Sequence, residues 1–185
     1  MGFDQLTIRA EQATRRAEQA YHDLLGQHDD TLEFERTSRV SRYRFATLVD
    51  RIRRNGTPYG AHTIPYRPSG KLLLVRHEGV NRWVVPGGSI DTGESYVEAA
   101  RRELGEEAGI EVEYDGLAFL IRIQLRTPGY ETWGLLPVFA AQAVTTEPEI
   151  TDPDEEISAA EWFEALPADT RDREQLLIWR DQALE

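Results

Sequence analysis

Apolar residues in the first part of the chain recur at spacings of three and four. Leu6, Ala10, Ala13, Ala17, Tyr21 and Leu24 form one narrow seam, the mark of an amphipathic helix that packs closely on a neighbour. Gly26 and Asp29-Asp30 interrupt it. Phe45, Leu48, Val49 and Ile52 repeat the spacing, and at about 100° per residue they share one arc of a second helix. Arg39, Arg42, Arg44, Arg51, Arg53 and Arg54 fall on the rest of its circumference, and Asn55-Gly56-Thr57-Pro58 ends it. The pattern predicts an N-terminal helical hairpin over residues 1–56 and a second domain over residues 57–185.

From Tyr59 the period shortens. Residues 61–66 and 72–76 read as strands joined by the turn Pro68-Ser69-Gly70-Lys71, and Trp83-Val84-Val85 is a short strand stopped by Pro86-Gly87-Gly88. A long amphipathic helix is predicted over 94–108, with Ser95 and Glu98 as a capping box at its start and Gly109 as its stop. Further strands are predicted at 111–114, 117–126, 133–144 and 160–163, and a last helix at 171–184. Strands interrupted by one helix and closed by another imply α/β or α+β layers around a mixed sheet.

Composition narrows the function classes. A chain of 185 residues, 40% hydrophobic, can bury one core and a modest extra element. No stretch approaches the roughly 20 apolar residues of a membrane span. There is no cysteine, which excludes disulfides and thiolate metal sites. Met1-Gly2-Phe3-Asp4-Gln5 lacks the basic and apolar regions of a secretion signal, so the cytoplasm is the expected compartment. His22, His28, His62 and His77 have no metal-ligand spacing, and neither a Ser/His/Asp set nor a P-loop can be assembled.

Charge changes the picture more. Acids outnumber bases 33 to 21, and Lys71 is the single lysine. Residues 1–56 hold 10 Arg against 9 acids, whereas residues 57–185 hold 11 bases against 24 acids. So acidic a domain repels bare polyphosphate, and binding one requires metal ions or a local Arg cluster. Acid excess with almost no Lys also suits a halophilic protein, in which salt screens the self-repulsion; a GC-rich genome accounts for the Arg equally well.

The stretch GSIDTGESYVEAARRELGEEAGI, residues 88–110, concentrates the candidate chemistry. Glu103, Glu106 and Glu107 stand at i, i+3 and i+4, in one sector of the helix beside an apolar stripe of Val97, Ala100, Leu104 and Ala108. Like charges at that spacing cost roughly 0.2–0.5 kcal/mol each. Gly105 in mid-helix costs up to about 1 kcal/mol more. Binding something positive would recover both losses, and clustered carboxylates are hard oxygen ligands suited to Mg²⁺ or Mn²⁺. The glycine-bearing loop ahead of the helix can bring backbone groups to the same ion and to phosphates.

This stretch resembles the Nudix box, in which G, five residues, E and seven residues precede R-E-U-x-E-E-x-G-U, U being aliphatic. Gly88, Glu94, Arg102, Glu103, Leu104, Glu106, Glu107, Gly109 and Ile110 occupy every constrained position. The likeness covers roughly residues 58–166. It implies a Nudix fold, a mixed sheet sandwiched between helices, and Mg²⁺- or Mn²⁺-dependent cleavage of a diphosphate bond. The implied substrates are a nucleoside diphosphate linked to another moiety, of ADP-ribose or nucleotide-sugar type, or a nucleoside triphosphate. It assigns metal binding to Glu103, Glu106 and Glu107 with a carbonyl of Gly87 or Gly88, leaves Glu94 close by, and has Arg102 orient Glu103. Glu103 is the favoured general base, and Glu155 or Glu156, in the acidic segment 147–156, is the distal candidate.

Arg76 and His77 are candidates for the substrate pocket, and Trp83, Trp133 and Tyr130 for core or pocket wall. Three other readings stand beside the enzyme: a merely ion-paired surface helix, a nucleotide-sensing Nudix protein without turnover, and an Arg-rich N-terminal module recruiting RNA or protein. Nucleic acid is the less favoured partner for that module. Its Arg side chains can instead dock on acidic surface, and the Ala-lined seam suits a close helix pair or a homodimer contact.

Overall fold

The computed structural model describes residues 2–184; Met1 and Glu185 lie outside the described residues. In chain order the elements are α1 (Gly2–Gln27), β1 (Leu32–Arg39), α2 (Arg42–Asn55), β2 (Ala61–Tyr66), β3 (Leu72–His77), β4 (Arg82–Val84), β5 (Gly87–Gly88), α3 (Tyr96–Glu107), β6 (Val112–Thr127), β7 (Tyr130–Ala143), β8 (Ile157–Phe163) and α4 (Arg173–Ala183). They group into two compact units, Met1–Gly60 with Phe119–Pro137, and Ala61–Ala118 with Val138–Glu185. No described helix is long and apolar enough to cross a membrane.

In the first unit the two expected helices form, but a strand separates them. β1 runs parallel to β6 in a register pairing Leu32 with Phe119 and Arg39 with Arg126. Arg39 therefore ends a strand rather than lying on the second helix. The predicted seam of α1 is buried at Leu6, Ala10, Ala13, Ala17 and Leu24, and small side chains let α1 lie close against the Phe45, Leu48, Val49 and Ile52 face of α2. Ser41 caps α2 by accepting from Arg44 N, and Gly56, at φ 86°, closes it. Polar clips fix α1. Thr132 Oγ1 donates to Ala10 O at 3.1 Å, and Arg9 bonds Asp50 of α2 through Nε and Nη2. Trp133 packs edge-on to Tyr21 with the Arg122 guanidinium 3.9 Å over its ring.

In the second unit β2 lies beside β3 in antiparallel pairing and beside β7 in parallel, with β4 and β8 against β3 and β5 against β2. Period-two alternation puts residues 61 and 66 on opposite faces of β2. Ala61 packs with Ala100 of α3, and Tyr66 meets Trp179 of α4 edge-on. A helix thus covers each face, and Leu72–Val75 of β3 is fully buried on both sides. The two short strands expected at 111–114 and 117–126 are one strand, β6, with Gly116 at φ 128° where a break was anticipated.

Phe45 is fully buried and rests against Tyr130. Phe45→Ala should cost about 3–5 kcal/mol, read as a lower urea midpoint at unchanged slope. A loss below about 1 kcal/mol would contradict this account of the core.

Candidate active site

α3 is positioned from both ends. Ser95 accepts from Glu98 N while Glu98 accepts from Ser95 N, the capping box in full. Leu104 and Ala108 pack with Leu73 and Val75 beneath them. β5 is held against β2 by the pairs Ala61 with Gly88 and His62 with Gly87, so the two glycines lie along the acidic side of the helix. The approach is close: a Cβ on Gly88 would stand 2.6–2.8 Å from the Glu103 carboxyl atoms. A side chain there would evict Glu103. Gly105, by contrast, faces open space.

The carboxylates have unequal surroundings. Glu107 is 6% exposed and accepts from Gly87 N at 3.0 Å. Burial pushes its carboxyl up to about 9, against that one N–H, and the charges of Glu103, Asp152 and Glu156 add to the rise. Glu103 is also raised by burial, opposed by Arg102 and reinforced by Glu106 and Asp154. Arg102 is the hub. Its guanidinium reaches Glu94 Oε1 and Glu103 Oε1 at 2.9 Å, Ser89 O at 2.8 Å and Glu106 Oε1 at 3.6 Å. Burial alone would lower the Arg102 pKa, but Glu94 and Glu103 raise it and keep it charged.

A second acidic segment docks on the same helix end. Glu149 N donates to Ala108 O, and Thr151 N to Glu106 O. Gly109 makes this passage possible: its φ is 63°, and a Cβ there would overlap the Glu149 carbonyl. Asp152 then gathers the backbone N–H groups of Asp154, Glu156 and Ile157. Glu156 is tied to the end of β3, its carbonyl by Glu78 N and its carboxylate by His77 Nε2 at 3.2 Å. Asp152 and Asp154 thus join the residues whose charge acts on Glu103 and Glu107; from this segment the sequence reading named only Glu155 or Glu156, as the distal base. The Asp-Pro-Asp turn was the available signal.

The remaining candidates are dispersed. Arg76 is engaged by Asp169 and Asn81, both at 2.6 Å, and Trp83 packs edge-on to Phe163. Glu155 is exposed in a left-handed turn at φ 55°. Trp133 and Tyr130 belong to the first unit, where both are buried.

Among the described residues no three His, Asp or Glu side chains form a ready cation cage. Arg102 and Gly87 N–H hold the carboxylates instead. The donor set nevertheless fits a hard divalent cation. Glu107 is a buried carboxylate short of counter-charge, Glu94 Oε2 is buried without a partner, and the α3 carboxylates and β5 carbonyls offer hard oxygen donors.

Residues 56–179 match the NUDIX domain family. The chain belongs to that family. Among its relatives, an RNA pyrophosphohydrolase of Cereibacter sphaeroides is 36% identical over 86 residues, covering 40% of this chain and 49% of the relative. A putative 8-oxo-dGTP diphosphatase of Bacillus subtilis is 48% identical over 50 residues, covering 27% and 34%. The chain thus spans about half or less of the length of these two relatives. A solved MutT NUDIX hydrolase from Burkholderia pseudomallei superimposes with a TM-score of 0.52 at 27% identity, over 67% of this chain and 95% of that one. The mixed α/β architecture is the NUDIX fold.

Two predictions test this NUDIX site. Gly109→Ala should release the Glu149–Asp152 passage from α3, seen as faster amide exchange at Glu149 and Thr151 with α3 unchanged; unaltered exchange at both would show that the passage tolerates a side chain. The second concerns Glu107. Its folded pKa of about 9 lies above the ordinary 4.5, so the folded state keeps a proton that the unfolded chain releases. That contribution is full below about 4.5 and is lost as pH rises toward 9. In EDTA, wild type should therefore lose melting temperature relative to Glu107→Gln between pH 5 and 9, by roughly several degrees. Parallel curves would overturn the buried-proton assignment.

Proposed function

We propose that this chain hydrolyses a diphosphate bond in a nucleotide-type substrate, using Mg²⁺ or Mn²⁺ held by the α3 carboxylates. The observation that carries the reading is the buried Glu107 carboxylate beside Glu103, Glu106 and the β5 glycines, in a site with a single shared guanidinium. Acids so placed are costly unless a cation completes them.

Glu103, Glu106 and Glu107 would hold the ion, with Glu94 and a carbonyl of Gly87 or Gly88 in support. Bound there, the ion would neutralise charge on the phosphate oxygens and favour ionisation of an attacking water. Glu103 is the base best suited to take the water's proton. Burial raises its pKa, which makes the ionised carboxylate a stronger proton acceptor, and Arg102 fixes its orientation. Glu156, fixed by His77, is the distal alternative. The absence of a Cβ on Gly88 leaves Glu103 room to turn.

The likeness to an RNA pyrophosphohydrolase and to a putative 8-oxo-dGTP diphosphatase favours a phosphoanhydride next to a nucleoside. Linked diphosphates such as ADP-ribose belong to the same chemical class. Which of them reacts decides between clean-up of triphosphates and turnover of linked diphosphates.

The test is chromatographic detection of cleavage products with Mg²⁺ or Mn²⁺: two phosphomonoesters from ADP-ribose or a nucleotide sugar, and a shortened nucleotide or RNA with phosphate or pyrophosphate from deoxynucleoside triphosphates or 5′-triphosphorylated RNA. At least one should turn over, and Glu106→Gln should slow it by on the order of a hundredfold or more while the fold persists. Tight nucleotide binding with no cleavage of any substrate would replace the enzyme by a sensor.

A further inference from the structure

The first unit leaves one sheet edge open. β1 is the last strand of its sheet, and no second strand lies on its outer side among the described residues. Arg39 is registered with Arg126, and Val40 N donates to Arg126 O. In a parallel ladder, successive residues turn their backbone groups alternately toward the partner strand and away from it. Residues 32, 34, 36, 38 and 40 therefore bond β6, while the backbone N–H and C=O groups of Glu33, Glu35, Thr37 and Arg39 face outward. The side chains of these four residues are exposed.

Such edges are ordinarily blunted by brevity, a bulge, proline or lysine. β1 has none of these. It runs for eight residues in unbroken register with β6, and LEFERTSR contains neither proline nor lysine. In the second unit, by contrast, the short strand β4 has three residues, and Arg171 N donates to Trp83 O along it.

Charge selects the occupant. The chain carries a net −12, yet the first unit holds 12 Arg against 10 acids. Two copies repel each other through their second units, so the nearly neutral first unit is where they can meet. The alanine seam of α1 is buried inside this unit, which leaves the edge as the available surface. Along β1 the acids Glu33 and Glu35 come first and Arg39 comes last. A strand polarised in this way complements a copy of itself laid antiparallel. A twofold axis normal to the sheet keeps each residue on its own face, so odd residues oppose odd ones. Centred on Glu35 or on Arg36, the axis would set that charged residue against its own copy. Centred on Thr37, it opposes Thr37 to Thr37, Arg39 to Glu35 and Arg36 to Ser38, with no like charges facing.

We propose that two copies of this chain pair through β1, antiparallel about a twofold axis at Thr37. Residues 35, 37 and 39 exchange backbone hydrogen bonds across the axis, and Glu35 and Arg39 form two ion pairs. The dimer does not depend on the hydrolase reading.

Sedimentation velocity on the full chain, from about 5 to about 500 μM, tests it. The mass should rise from 21.1 kDa toward twice that value. Thr37→Pro removes an outward N–H but spares the bonds to β6, and should weaken pairing about tenfold or more. Arg39→Glu acts oppositely within and between copies. It gives Arg126 an acid on the neighbouring strand, so the melting temperature should hold or rise, yet it sets an acid against the partner's Glu35 and should weaken pairing about tenfold. The chain has no cysteine, so Thr37→Cys carries a single thiol, which the axis places at a separation a disulfide can span. Mild oxidation should link this variant about tenfold faster than Glu11→Cys, whose thiol lies on the exposed side of α1. Melting curves check folding; if Thr37→Pro fails to fold, Arg39→Glu and the two cysteine variants decide. A monomer at every concentration would overturn the proposal, as would equal linking of the two cysteine variants. So would pairing kept within about twofold by folded Thr37→Pro or by Arg39→Glu, which would place the contact elsewhere.

Discussion

A carboxylate that is 6% exposed and short of counter-charge is the constraint around which the second unit is arranged. Burying an ionised acid costs several kcal/mol even after relaxation. Glu107 meets that cost in the metal-free chain by holding its proton and accepting one backbone N–H. On the proposed reading, a divalent cation bound there would take the place of the proton and release it. The β5 glycines, the Arg102 hub and the docked acidic segment all make sense as parts that keep this carboxylate available. Remove the burial, and Glu103, Glu106 and Glu107 become an ordinary charged surface, with each ion pair worth about 1 kcal/mol or less.

Arg102 resolves a difficulty that the carboxylates create. Four acids, Glu94 and Glu103 at 2.9 Å, Asp91 at 3.4 Å and Glu106 at 3.6 Å, lie around one guanidinium. A planar, permanently charged fork with five donors can serve several such partners at fixed geometry, where lysine offers three from a single point charge. The arginine draws Glu94 and Glu103 to itself, and no ready cation cage forms among the described residues. On the proposed reading, an ion at Glu103 would compete with this side chain, so affinity for the ion and orientation of the proposed base would be coupled through one residue.

The parts legible in the sequence were the local ones. The capping box at Ser95 and Glu98, the stop at Gly109 and the glutamate spacing all lie within 22 residues of Gly88, and period and propensity govern at that range. The apolar seams of α1 and α2 were equally readable. β1 was not, because only Leu32 and Phe34 alternate cleanly before Arg36 and Ser38 continue the buried side. Its pairing with Phe119–Arg126 is a long-range fact, as is the grouping of residues 119–137 with the N-terminal helices. The role of Gly109 shows the same divide. It reads locally as a helix stop, yet the reason it must lack a side chain is a carbonyl forty residues away.

Uncompensated like charge is the sequence signal that deserves wider use. A surface tolerates scattered acids and bases cheaply because water and salt screen them. Register removes that freedom: residues on one helix face or one ladder rung cannot move apart. The i, i+3, i+4 glutamates of α3 carry this signal in the sequence alone, and it points to a cation. The Arg39–Arg126 rung is the same situation in a sheet. It was invisible in the sequence only because strand register, unlike helix register, joins residues 87 positions apart. Burial separates a functional cluster from an accident of composition: Glu107 is nearly enclosed and cannot turn to water for relief, whereas an exposed arginine pair with Glu131 beside it can.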